Sequence, residues 1–106
     1  MYIRIIIKGA GKNSTLLGTT MSNREIAGQL TDYAHFLESS RASLYRVKAY
    51  RRAAETILSL SVPIKELLEN EGRKGIRELP GVGSHLSYTI EGLIRTGEFR
   101  TLDGLE

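Results

Sequence analysis

The sequence predicts an all-α fold, a small bundle of helices, and two observations carry that prediction. From Ser22 onward apolar residues recur every three or four positions, and residues that start or stop helices bracket each such run. Size agrees with a simple architecture: 106 residues leave room for one domain with one modest core, and none for a catalytic domain beside it.

Residues 1–20 stand apart from the rest. Tyr2 to Ile7 reads as a short strand, and Gly9 to Thr20 is rich in Gly, Ser and Thr with no apolar period. We therefore expect a flexible or short-strand leader over 1–20, outside the core, and a domain over 21–106 that needs no strand pairing. The Gly9-Ala10-Gly11-Lys12 stretch lacks the four-residue gap and the following helix of a phosphate loop, so that reading is rejected.

Ser22 with Glu25 forms a capping box that opens a helix from about Asn23 to Glu38, burying Ile26, Leu30, Ala34 and Leu37. After a loop over Ser39 to Ser43, a second helix runs from about Leu44 to Leu60. It sets Val47, Tyr50, Ala54 and Ile57 on one arc, with Lys48, Arg51, Arg52 and Glu55 on the other. Pro63 suits the first turn of a third helix, whose Ile64, Leu67 and Leu68 point inward before Gly72 stops it. A short helix from about Lys74 to Glu78 follows. The last helix, from about Ser84 to Thr96, buries Leu86, Ile90, Leu93 and Ile94 and ends at Gly97.

Between these last two helices lies Leu79-Pro80-Gly81-Val82-Gly83-Ser84. Two glycines around a small apolar residue permit a tight turn whose backbone amides open onto the start of the next helix, where the helix dipole favours an anion. Ile76, Leu79, Val82, Leu86 and Ile90 frame the turn with apolar surface, and small Ser87 suits the point where the helices cross. The run reads as a helix-hairpin-helix, a clamp for nucleic-acid phosphates formed by Gly81, Val82, Gly83 and Ser84. Pro-Gly-x-Gly also occurs simply as a loop joining two helices.

Charge sharpens this reading. The net charge is +3, but residues 1–20 hold Arg4, Lys8 and Lys12 with no acid, and the remaining 86 residues balance 12 basic against 12 acidic side chains. Distribution matters more than the total. From Ser39 to Ala54 there are five cations, Arg41, Arg46, Lys48, Arg51 and Arg52, and no acid, whereas Glu66, Glu69 and Glu71 make the third helix acidic. One face is thus basic on a nearly neutral domain. The chain has no cysteine, which excludes disulfides, thiolate metal sites and a cysteine nucleophile, and suits the reducing cytoplasm. Its longest apolar run, Ile5 to Ile7, is too short to span a bilayer. We expect a cytoplasmic protein with no membrane partner.

Tyr45-Arg-Val-Lys-Ala-Tyr-Arg-Arg-Ala-Ala54, Leu79-Pro-Gly-Val-Gly83 and Thr96-Gly97, in this order and approximate spacing, resemble the amino-terminal domain of DNA polymerase beta and its bacterial family X relatives. The resemblance covers roughly Ser22 to Leu105. It implies a helical bundle that holds gapped or single-stranded DNA by its phosphates, with a polymerase or repair protein as a possible partner. It also implies a monovalent cation, Na or K, held by backbone carbonyls that map onto Arg77, Leu79 and Val82. Some family members carry a deoxyribose-phosphate lyase whose lysine forms a Schiff base. That position is Thr89 here, which cannot form the imine, and the lysine two residues after the second hairpin glycine is replaced by His85. Arg46 and Tyr50 keep the character of the lyase-pocket positions on the second helix. No lyase activity is expected.

Each candidate also has an ordinary structural role. Arg46 falls on the apolar arc, where a cation either lines a pocket or snorkels from the first turn. Tyr50 suits a core aromatic whose hydroxyl reaches the edge, and Lys48, Arg51 and Arg52 suit a solvated face as well as a DNA contact. His85, in the first turn of the last helix, is an auxiliary phosphate donor. His35 reads as a surface residue, and Tyr33 and Tyr88 as boundary residues. Two function classes follow: a DNA-binding module without sequence specificity, linked to repair or replication, and a helical protein-interaction domain. The basic stretch from Arg41 to Arg52 favours the first, because a docking module does not need it.

Overall fold

Ser22 starts the first helix as its sequence dictates. In the computed structural model, which describes residues 3–5 and 21–101, the Ser22 hydroxyl accepts from the Glu25 amide at 3.1 Å and the Glu25 carboxylate accepts from the Ser22 amide at 2.8 Å. This reciprocal cap satisfies two backbone donors at the head of α1 (Asn23–Ser39). No glycine closes the helix. Arg41 instead takes the left-handed conformation, with φ 62, and the Ala42 amide donates to the Leu37 carbonyl at 2.9 Å.

The chain then enters α2 (Leu44–Leu58), where the Ser43 hydroxyl accepts from the Tyr45 amide. Ile26, Leu30, Ala34 and Leu37 of α1 and Val47, Tyr50, Ala54 and Ile57 of α2 are all buried, as their spacing predicts. Asn23 locks the third helix to the first: its amide group donates to the Val62 carbonyl at 2.9 Å, and its carbonyl accepts from the Ile64 amide at 2.8 Å.

That third helix, α3 (Ile64–Arg77), is interrupted at Gly72, whose φ of 72 and ψ of −171 are non-helical. The interruption agrees with the expected stop and leaves a short final segment over 73–77. After the hairpin comes α4 (Ser84–Thr96), which buries Leu86, Ile90, Leu93 and Ile94 and ends on left-handed Gly97.

Beyond Gly97 the structure departs from expectation. Residues Ile3–Ile5 (β1) pair antiparallel with Phe99–Thr101 (β2), placing Ile3 opposite Thr101, Arg4 opposite Arg100 and Ile5 opposite Phe99. The sequence predicts a core that needs no strand pairing; the short pair forms beside the helices, and β2 adds Phe99 and Thr101 to the buried interior. Gly97 turns the chain back over the bundle, where Phe99 packs on Tyr33 with ring centres 4.8 Å apart and the buried Tyr50 hydroxyl meets Thr101 Oγ1 at 2.8 Å. Ile3–Ile5 falls within the expected short-strand part of the leader; residues 6–20, including Gly9 to Lys12, lie outside the described residues.

Candidate functional site

The hairpin is built on a turn that its sequence specifies. Pro80 and Gly81 occupy the two central positions, the Val82 amide closes the turn on the Leu79 carbonyl at 3.0 Å, and Gly81 has φ 82, the value a type II turn requires at that place. One expectation fails as a result. The Val82 amide is spent inside the turn and its side chain is buried, so Val82 contributes shape to the hairpin and no outward donor.

Two contacts hold the turn against α2. The Thr56 hydroxyl donates to the Pro80 carbonyl at 2.7 Å. The stem of Arg52 crosses Gly81 so closely that a Cβ there would lie 2.6 Å from the Arg52 Cγ. Gly81 is thus required twice, by its backbone conformation and by the side chain lying on it.

Gly83 is different. Its φ of −124 is open to any residue, and a Cβ added to it would meet nothing within 4 Å. Among the described residues no contact and no backbone strain requires a glycine there, although glycine is a better helix cap than alanine. Gly83 caps α4 without any side-chain hydrogen bond, and the amides of Gly83, Ser84, His85 and Leu86 donate to no acceptor among the described residues. Uncapped amides at a helix start attract anions. Buried Ser87, whose hydroxyl donates to the Ser84 carbonyl at 2.8 Å, sits beneath this first turn.

These amides open into a cleft of about 300 Å³ between α4 and α2. Gly81, Gly83, Ser84 and His85 form one wall; Tyr45, Arg46 and Tyr50 line the other. Arg46 is half-buried and His85 exposed. Tyr50 is only 3% exposed, and its hydroxyl is engaged by Thr101, so it serves as a wall of the cleft. A shallower groove of about 230 Å³ adjoins it, bounded by Tyr45, Lys48, Arg52 and Gly81. Lys48 and Arg52 are exposed and form no ion pair among the described residues.

Arg51 does not join this set. Its guanidinium donates to Glu38 of α1 at 2.9 Å, an acid 13 positions earlier that the linear run of cations does not reveal. Tyr33 is a second correction: it is buried against Tyr50, Phe36 and Phe99, and is no boundary residue. Tyr88 is half-buried and His35 exposed.

Sequence reasoning passed over Tyr45. It is 82% exposed and lines both the cleft and the groove. Its signal was the spacing of Tyr45, Lys48 and Arg52, which share one face of α2 at i, i+3 and i+7.

Thr89 is fully buried, and its hydroxyl faces the His85 carbonyl at 3.3 Å. Among the described residues no helix is long and apolar enough to cross a membrane, and no group of three His, Cys, Asp or Glu is placed to hold a metal. A family model for the helix-hairpin-helix domain matches residues 21–99, a span that includes the hairpin, the cleft and all four helices. Domains of this kind typically bind nucleic acid.

Proposed function

The chain belongs to the helix-hairpin-helix domain family, and from that premise we propose that it is a DNA-binding module that holds the sugar-phosphate backbone without reading base sequence, in the service of DNA repair or replication. The observation that carries this reading is the uncapped start of α4. Four amides without acceptors among the described residues border a cleft that Arg46 and His85 also line, beside a glycine around which the described residues leave open space. A phosphate oxygen accepts from such amides while Arg46, Lys48 and Arg52 neutralise its charge and its neighbours'. Phosphate contacts of this kind position a strand without specifying its sequence.

The resemblance to the amino-terminal domain of DNA polymerase beta narrows the ligand to gapped or single-stranded DNA. Exposed Tyr45 supports the same choice, because an aromatic face beside a phosphate site stacks best on an unpaired base. The resemblance also assigns a Na or K ion to the carbonyls of Arg77, Leu79 and Val82. Leu79 already accepts from Val82, while the carbonyls of Arg77 and Val82 accept no hydrogen bond among the described residues, so this part of the hairpin retains oxygen ligands for such an ion. We propose no lyase role. Thr89 offers no amine, and it is buried away from solvent.

Fluorescence titration of gapped, single-stranded and duplex DNA at two salt concentrations tests the proposal, with an acidic polymer as the charge control. Gapped or single-stranded DNA should bind tighter than intact duplex, and affinity should fall steeply with salt. Equal affinity for DNA and the acidic polymer would overturn it.

A further inference from the structure

Resting on that reading, we propose that the bound strand continues from the hairpin along α4 to a second phosphate site, formed by Arg73, Arg95 and Arg100 around Glu91. These four residues, with Tyr88, line a separate groove of about 180 Å³ where the last segment of α3, the exposed side of α4 and β2 meet. Glu91 receives Arg95 at 2.8 Å on one carboxylate oxygen and Arg73 at 3.7 Å on the other, and Arg100 meets Glu98 at 3.2 Å. Arg73 and Arg95 thus share the single carboxylate of Glu91, which leaves this pair with an excess of positive charge beside Arg100 among the described residues. Glu91 is the more enclosed partner, with 22% of its side chain exposed against 48% for Arg73 and 61% for Arg95. It holds the arginines by their Nε edges and leaves their outer edges to solvent.

Position along the helix links this cluster to the hairpin. Ser84, Tyr88, Glu91 and Arg95 follow one another at i, i+4, i+7 and i+11, so they form a single stripe on α4 that begins at the uncapped amides. The stripe is about 16 Å long, the reach of roughly five phosphates of a stacked strand. Exposed Arg77, one turn from Arg73 on the last segment of α3, stands on the hairpin side of the cluster. A strand leaving the cleft therefore meets positive charge again at the far end of the same helix. Glu91 has a defined part in this arrangement: it pre-orients Arg73 and Arg95 and opposes the approach of a phosphate.

Binding of oligothymidylates of increasing length tests the proposal, with each variant checked by circular dichroism melting. Affinity of the unaltered protein should rise with length up to about five or six nucleotides. In Arg73→Ala/Arg95→Ala the rise should end sooner, and the salt slope should fall by about 0.7 for each phosphate that is no longer neutralised. Glu91→Gln should act in the opposite direction, tightening binding about threefold, the effect of removing a unit charge some 6 Å away in water. A purely structural network gives no such gain. Unchanged length dependence in the double variant, or no tightening in Glu91→Gln, would overturn the second site while leaving hairpin binding in place. Failure of the unaltered protein to bind any length would remove the DNA-binding reading and this extension together.

Discussion

Substituting each hairpin glycine with alanine separates what the fold needs from what a ligand needs. At Gly83 the new methyl group meets nothing within 4 Å and the backbone, with φ −124, accepts it without strain. Alanine is a poorer helix cap than glycine, but it also restricts the unfolded chain by an amount worth about 0.4–1 kcal/mol. These effects oppose each other, so stability should stay within about 0.5 kcal/mol of the parent. The methyl group does crowd the approach to the Gly83 and Ser84 amides. Loss of one hydrogen bond to a charged oxygen costs about 1.5–3 kcal/mol, which is roughly a 10- to 100-fold weaker Kd. At Gly81 the order reverses. A left-handed backbone at φ 82 penalises any side chain by about 1–2 kcal/mol, and the methyl group also displaces the Arg52 stem. The melting temperature should fall by about 4–8 °C for each kcal/mol. Thermal melts paired with DNA titrations read both outcomes. Gly83→Ala that melts and binds like the parent would refute the argument that Gly83 is kept open for a phosphate.

Three further outcomes follow from the same geometry. Asn23→Ala removes both bonds that tie α1 to the start of α3, and chemical denaturation should report a loss of about 1–2 kcal/mol. Arg41→Gly relieves a left-handed non-glycine residue and should raise stability by about 0.5–1 kcal/mol after the greater freedom of the unfolded chain is counted. Arg52→Ala should lower the salt dependence of DNA binding by about 0.7–0.9, whereas Arg51→Ala should leave the slope unchanged because its guanidinium is turned to Glu38. Salt titrations of the two variants side by side check this difference.

The helices were legible because each carries its own boundary chemistry. The Ser22–Glu25 box, Gly72 and Gly97 act within one or two turns of where they stand in the chain, so reading them needs no knowledge of the fold. Features that depend on distant partners were not legible. The pairing of Ile3–Ile5 with Phe99–Thr101 joins segments almost a whole chain apart, and three-residue strands are too short to show a period of two. Arg51 looked unpaired because Glu38 lies on another helix. Tyr33 did carry a sign of burial, lying with Ile26, Leu30 and Leu37 on one stripe of α1, but its partners Phe99 and Tyr50 come from distant segments.

The hairpin shows the limit most directly. In the sequence Gly81 and Gly83 are equivalent members of one motif, and the same reasoning about tight turns applies to both. In the structure Gly81 answers to the turn and to Arg52, while a side chain at Gly83 would touch none of the described residues. Gly83 caps the helix, a role that serine, asparagine or aspartate would fill at least as well with a side-chain bond to the first amides of α4; glycine differs in leaving them open. Beside the cleft lined by Arg46 and His85 that openness has a use, since a bare backbone there lets a phosphate oxygen come within hydrogen-bonding distance. The spent amide of Val82 fits the same account, because it closes the turn while the four amides that follow donate to no acceptor among the described residues.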